Sequence, residues 1–147
     1  MGTRSNIRIH DGDDKLLCCL YRQFDGYPAG VGCMLQDFVE DKVMVNGFNE
    51  EDGSQINGPG DFATMFITWD KGLGDNKVST GNLYMMRPNH KVGSSWEEYC
   101  YDIFFDKDGE PVVTVIELHD KKYGGNKVLC TKQPLRTVDM KSLKSNK

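Results

Sequence analysis

Histidine is scarce in this chain, apolar residues never run long, and the cysteines form no spaced pairs. Each shortage removes a class of function. No uninterrupted apolar run approaches the roughly 20 residues that a membrane-spanning helix requires, and the amino terminus carries no apolar h-region of a secretory signal. The opening MGTRSN places Asn6 where a myristoylation signal needs Ser or Thr, with Ser5 one position early. A membrane role is therefore not expected, and the expected location is cytoplasmic. The five cysteines, Cys18, Cys19, Cys33, Cys100 and Cys130, are odd in number and contain no C-x-x-C, which removes both a disulfide framework and a zinc knuckle. They read as reduced core residues.

Phosphate-loop, dinucleotide and serine-hydrolase signatures are missing as well. No G-K-[ST] follows either glycine-rich stretch, the third glycine of a G-x-G-x-x-G would fall at Leu35, and no G-x-S-x-G occurs. HDGDD and DKDG invite a calcium reading but lack the ligand spacing and the terminal glutamate of a calcium loop, so both read as hairpin turns. Neither a metal nor an organic cofactor is expected. Of the three histidines, His10 and His119 each precede an aspartate, but neighbours on a strand point apart while ligands must converge. They read as turn-edge residues, and His90 as part of a polar loop.

What is present is the material of one ordinary domain. A chain of 147 residues, with a 38% hydrophobic share and 16 glycines, is long enough to bury a core without staples. Charge is unevenly spread: Lys132, Arg136, Lys141, Lys144 and Lys147 against Asp139 make the last stretch +4 and leave −8 for the rest of a chain of net −4. An acidic body makes nucleic acid an unexpected partner. The expected organisation is a single compact domain over 1–131 and a poorly ordered basic tail over 132–147.

Periodicity supplies the elements. Ile7 and Ile9 alternate with polar neighbours, and KLLCCLYRQF follows across a turn in which Asp11 and Gly12 offer positive φ, so a β-hairpin is expected. The second strand is apolar on both faces and should be covered on both. Val31, Leu35, Phe38 and Val39 recur at helical spacing after Pro28, predicting a helix from about Pro28 to Asp41. Lys42–Asn46 is strand-like, FNEEDGSQINGPG reads as a polar loop, and Phe62, Met65, Phe66 and Trp69 mark a second helix from about Asp61, stopped by Gly72 and Gly74. Strands are predicted at Asn82–Arg87, Glu98–Phe105, Pro111–His119 and Lys127–Thr131. The order implies an α+β fold, a largely antiparallel sheet with two helices packed on one face.

The densest segment is YRQFDGYPAGVG, residues 21–32, where a strand end, a turn and a helix start meet. Helix amino termini present unpaired N–H groups, and glycine lets an anion reach them. Gly30 and Gly32 fit that role, or else let the helix pack closely. Arg4 should approach Arg22 across the hairpin, and two arginines beside a helix start would form an anion site. Alternatively, one of them pairs with Asp25 to lock the junction.

The segments MGTRSNIRI, LYRQFDGYPAGVGCML, VNGF, NGPG and EEYCYDIFF together resemble a family of small, little-characterised proteins encoded by tailed phages, large DNA viruses and some bacteria. The resemblance spans most of the chain and implies a compact α+β protein in a viral or mobile-element setting, in the cytoplasm of the host cell if viral; it implies no particular activity. The leading expectation is a non-enzymatic accessory protein that binds a small anionic, nucleotide-like ligand or a host protein through Arg4, Arg22, Gln23, Asp25, Tyr27, Gly30 and Gly32. One alternative is a hydrolase or transferase using Asp25, or Cys33 at the positive end of a helix. Another is a virion or assembly component, a homo-oligomer docking through sheet edges.

Overall fold

The computed structural model describes residues 2–47, 54–72 and 82–143. Gly74, residues 48–53 of the polar loop, and Lys144 and Lys147 lie outside that set. Six strands form the main sheet: β1 (Ser5–His10), β2 (Leu16–Arg22), β5 (Leu83–Met86), β6 (Tyr99–Phe105), β7 (Pro111–Glu117) and β8 (Lys127–Pro134). Their order is β5-β2-β1-β6-β7-β8, antiparallel except for the central β1–β6 pair. A small parallel pair, β3 (Val43–Val45) and β4 (Gln55–Asn57), stands apart. The helices are α1 (Cys33–Glu40), entered through a π-helical turn at Pro28–Gly32, and α2 (Gly58–Lys71). This is the expected α+β architecture with a mostly antiparallel sheet.

The strand pleat sorts the residues. Ile7 and Ile9 of β1 stand beside Leu20, Tyr101, Ile103, Val113 and Val115 on one face, and these join Val31, Leu35, Phe38, Phe62 and Phe66 of the helical layer in a single buried cluster. Phe38 meets Phe62 and Phe66 edge-on, with centroids 5.3 and 5.4 Å apart. Such pairs add about 0.5–1.5 kcal/mol each beyond area burial. Gly72 at φ 71 ends α2 as a left-handed cap. Among the described residues no helix is long and apolar enough to cross a membrane.

Four local expectations change. The left-handed residue of the first hairpin is Asp14, at φ 60, and not Gly12. The Asp11 carboxylate accepts the N–H groups of Asp13 and Lys15 at 2.8 and 3.0 Å, so a longer side-chain-closed turn replaces the tight one. Covering of β2 on both faces holds only around Cys19 and Leu20, because Leu16 and Leu17 are exposed. Within the expected polar loop, Gln55–Asn57 forms β4; Ile56 alone supplies its buried side chain, too short a signal for periodicity to register.

The largest change concerns the basic tail. From Lys132 the chain continues β8 to Pro134, then sinks Leu135 and Met140 into the core, where Leu135 has no exposed surface. Arg136 donates to the carbonyls of Val39 and Lys42 at 2.5 and 2.7 Å and to Glu110 at 2.8 Å. Its charge thus satisfies the carboxyl end of α1 and is not spent on solvent. The Gln36 amide holds the same segment through the carbonyls of Leu135 and Val138, at 3.0 and 2.6 Å. As an outer strand, β8 carries Lys127, Lys132, Pro134 and two register shifts, features that blunt an edge against pairing.

Candidate functional site

Strand order dictates where the second face is covered. β5 and β6 both run parallel to β1, and β2 and β1 lie between them, so the connection 87–98 must cross two strands without a helix. It does so on the face opposite the helices, where Trp96 stands beside Arg4. Asn6, Cys19, Cys100 and Asp102 are buried on that face.

That face carries a polar cluster. Arg8 grips Asp102 with two hydrogen bonds, Nε to Oδ1 at 2.6 Å and Nη2 to Oδ2 at 3.0 Å, and His10 Nε2 lies 2.9 Å from the same Oδ1. The His10 ring stacks on Phe104 with centroids 4.1 Å apart, and Lys132 Nζ sits 4.5 Å above the other ring. The hydrogen bonds that Arg8 donates to Asp102 raise its guanidinium further above its usual range, outweighing its partial burial. Burial pushes the Cys19 thiol up to about 11 and Cys100 higher still. Both sulfurs are held as neutral thiols, so neither has nucleophile character. The cluster ties the two central parallel strands in register, a structural use of a buried ion pair. His10 does stand at the turn edge, as the last residue of β1, but it is also tied to Asp102, 92 positions away.

A cleft of about 860 Å³ opens where the 87–98 crossover meets the loop after β7, within the range of roughly 300–1,000 Å³ typical of ligand pockets. Trp96 dominates it. The residue is 79% exposed and its backbone is left-handed, at φ 64, a conformation that costs a non-glycine residue about 1–2 kcal/mol. The Arg4 guanidinium stands 6.0 Å from the ring centroid, at the outer limit for a cation–π contact. Lys91 and Lys121 add positive charge, Glu98 and Asp120 negative.

Glu97 also borders the cleft, but its carboxylate is committed. It takes His90 Nε2 at 2.7 Å, the Ser95 N–H at 2.5 Å and the Gly93 N–H at 3.4 Å, with its side chain wholly buried. The opposite wall is equally stiff. Asn126 accepts the His119 N–H at 3.0 Å, the His119 ring bonds Glu117, and Asp120 O accepts the Tyr123 and Gly125 amides at 2.9 and 3.1 Å. Among the described residues Arg4, Lys91 and Lys121 form no ion pair.

The residues expected to converge at the 21–32 junction do not do so. Ser5 stands opposite Arg22, so Arg22 shares the helix face while Arg4, one position away, turns to the other face and enters the cleft. Arg22 donates to Phe24 O at 2.8 Å and reaches Asp70 of α2 at 3.4 Å; neither arginine pairs with Asp25. Gln23 accepts the Tyr21 hydroxyl at 2.6 Å, and exposed Asp25 accepts that of Tyr27 at 3.1 Å. That bond raises the Tyr27 hydroxyl above its ordinary value. Gly30 and Gly32 serve close packing: a Cβ at Gly30 would strike the Asp25 carbonyl, and one at Gly32 would lie 2.7 Å from Met140 Sδ. Neither Asp25 nor Cys33 lines the cleft. Among the described residues no group of three or more His, Cys, Asp or Glu is placed to hold a metal ion.

The sequence reading left Trp96 and the crossover itself unassigned. The available signal was the lone tryptophan in RPNHKVGSSWEE, an expensive apolar residue in a stretch too polar to bury it. No family model, curated protein or solved structure matches the chain.

Proposed function

We propose that the protein is a binding module for a small anionic ligand with a planar face, nucleotide-like in that sense, seated over Trp96. The observation that carries this reading is the exposed, left-handed Trp96 beside the unpaired Arg4. An indole in that state returns little to the fold, whereas a ligand ring stacked on it would gain about 1–3 kcal/mol. The cleft is lined by three cations, Arg4, Lys91 and Lys121, and three carboxylates, Glu97, Glu98 and Asp120; with Glu97 turned inward onto its own donors and Arg4 the cation beside the indole, an anion is favoured on the Arg4 side.

Calorimetric titration with mononucleotides and cyclic nucleotides tests the reading. The wild type should bind at least one of them, Trp96→Ala should abolish binding, and Arg4→Ala should weaken binding of the phosphorylated form more than that of the nucleoside. No heat with any ligand, or equal binding by Trp96→Ala, would remove the proposal.

A further inference from the structure

Trp96 lies between two fixed points. On its carboxyl side the Glu98 backbone is locked into the sheet, its N–H donating to Arg4 O and its carbonyl accepting the Leu118 N–H, both at 2.8 Å. On its amino side the turn doubles back through Gly93 at φ 88, and Trp96 is itself left-handed at φ 64. Between them the side chain of Glu97 points inward and collects donors from two, four and seven residues upstream: Ser95, Gly93 and His90. Strain of this kind persists only where the surroundings over-determine it. The strained residue's own side chain is mostly in water and gives no burial in return.

We propose that Glu97 is the positioning residue of the cleft: by gathering His90 Nε2, the Gly93 N–H and the Ser95 N–H on one buried carboxylate, it holds the turn that presents the Trp96 indole beside Arg4. The proposal rests on the reading of the cleft as a binding site, but it specifies a property of the free protein. A carboxylate suits the task because all three groups donate and it only accepts. A glutamine would set its own N–H donors against one of these partners, with no oxygen left to receive it.

The chain has two tryptophans, so a Trp69→Phe background leaves Trp96 as the sole reporter. In that background, time-resolved anisotropy and acrylamide quenching report indole freedom without ligand, and titration with adenosine monophosphate reports affinity. Glu97→Gln should speed local rotation of Trp96 and weaken binding by roughly tenfold or more, while the protein still melts cooperatively. His90→Leu, which removes one donor and leaves the buried carboxylate in place, should shift both readouts in the same direction by less, and it carries the test if Glu97→Gln does not fold. A merely structural role predicts a lower melting temperature with indole rotation and affinity unchanged in the folded protein, and that result overturns the proposal. If the wild type binds no nucleotide while Glu97→Gln still frees the indole, the binding reading fails and the positioning of Trp96 by Glu97 stands.

Discussion

Arg22 of β2 reaches Asp70 near the end of α2, Nη2 to Oδ1 at 3.4 Å, with both side chains largely buried. This pair fastens the second helix to the sheet on the face away from Arg4. Removing one partner from a buried pair strands the other charge. Arg22→Ala should therefore lose about 2–3 kcal/mol of stability, at or below the usual range for buried pairs because the contact is long. Urea denaturation measures it, and ligand affinity in the folded variant should stay at the wild-type value.

The two glycines of the 21–32 junction should differ in their tolerance of a methyl group. At Gly32 the obstacle is the Met140 thioether, at 2.7 Å from the added Cβ, which can swing aside. At Gly30 it is the backbone of Asp25, which is itself held left-handed at φ 58 and bonded to the Val31 N–H at 2.8 Å. Gly32→Ala should cost about 1 kcal/mol and Gly30→Ala about 3 kcal/mol. Equal midpoints in denaturant would contradict this assignment.

Leu135 separates a frayed tail from a closing strap. A frayed tail would tolerate Leu135→Ala without change. Full burial against the helical layer instead predicts a loss of about 2–5 kcal/mol, read as a lower denaturation midpoint. Ending the chain before Lys132 should cost more, since it also removes Arg136 from the carboxyl end of α1.

The sheet and helices were legible because their signals are local: alternation in EEYCYDIFF, helical spacing in Phe62, Met65, Phe66 and Trp69, Pro28 at a helical first turn and Gly72 as a cap. The binding surface was not, because it depends on which face each residue leaves by. Arg4 and Arg22 are near neighbours in hairpin register, yet a one-residue offset sends their side chains to opposite faces. Arg8 and Asp102 meet only through the β1–β6 parallel pairing, which no periodicity announces. Composition misled at the carboxyl end, where counting charges hid Leu135 and Met140.

Alkaline pH should weaken the fold. Burial raises the Cys19 thiol from 9.0 to about 11, and Cys100 and Tyr101 higher. A group whose folded value lies above its unfolded one holds its proton more tightly in the folded state. Its contribution is complete below pH 9 and declines as pH climbs through the window from 9 to about 11 for Cys19. The urea midpoint should fall between about pH 8 and pH 10.5, and Cys19→Ala should show a smaller fall. A midpoint flat over that interval would contradict the buried-thiol account.

The most direct test of where ligand binds is the proton–nitrogen NMR spectrum of the uniformly labelled protein during titration with adenosine monophosphate. The two indole N–H signals report Trp96 in the cleft and Trp69 on α2 separately. The cleft reading predicts that the Trp96 signal moves together with the amides of Gly93, Ser94 and Asn126, while Trp69 stays in place. Shifts centred on Asp25, Tyr27 and Gly30, with Trp96 unmoved, would contradict it and return the binding surface to the helix entry.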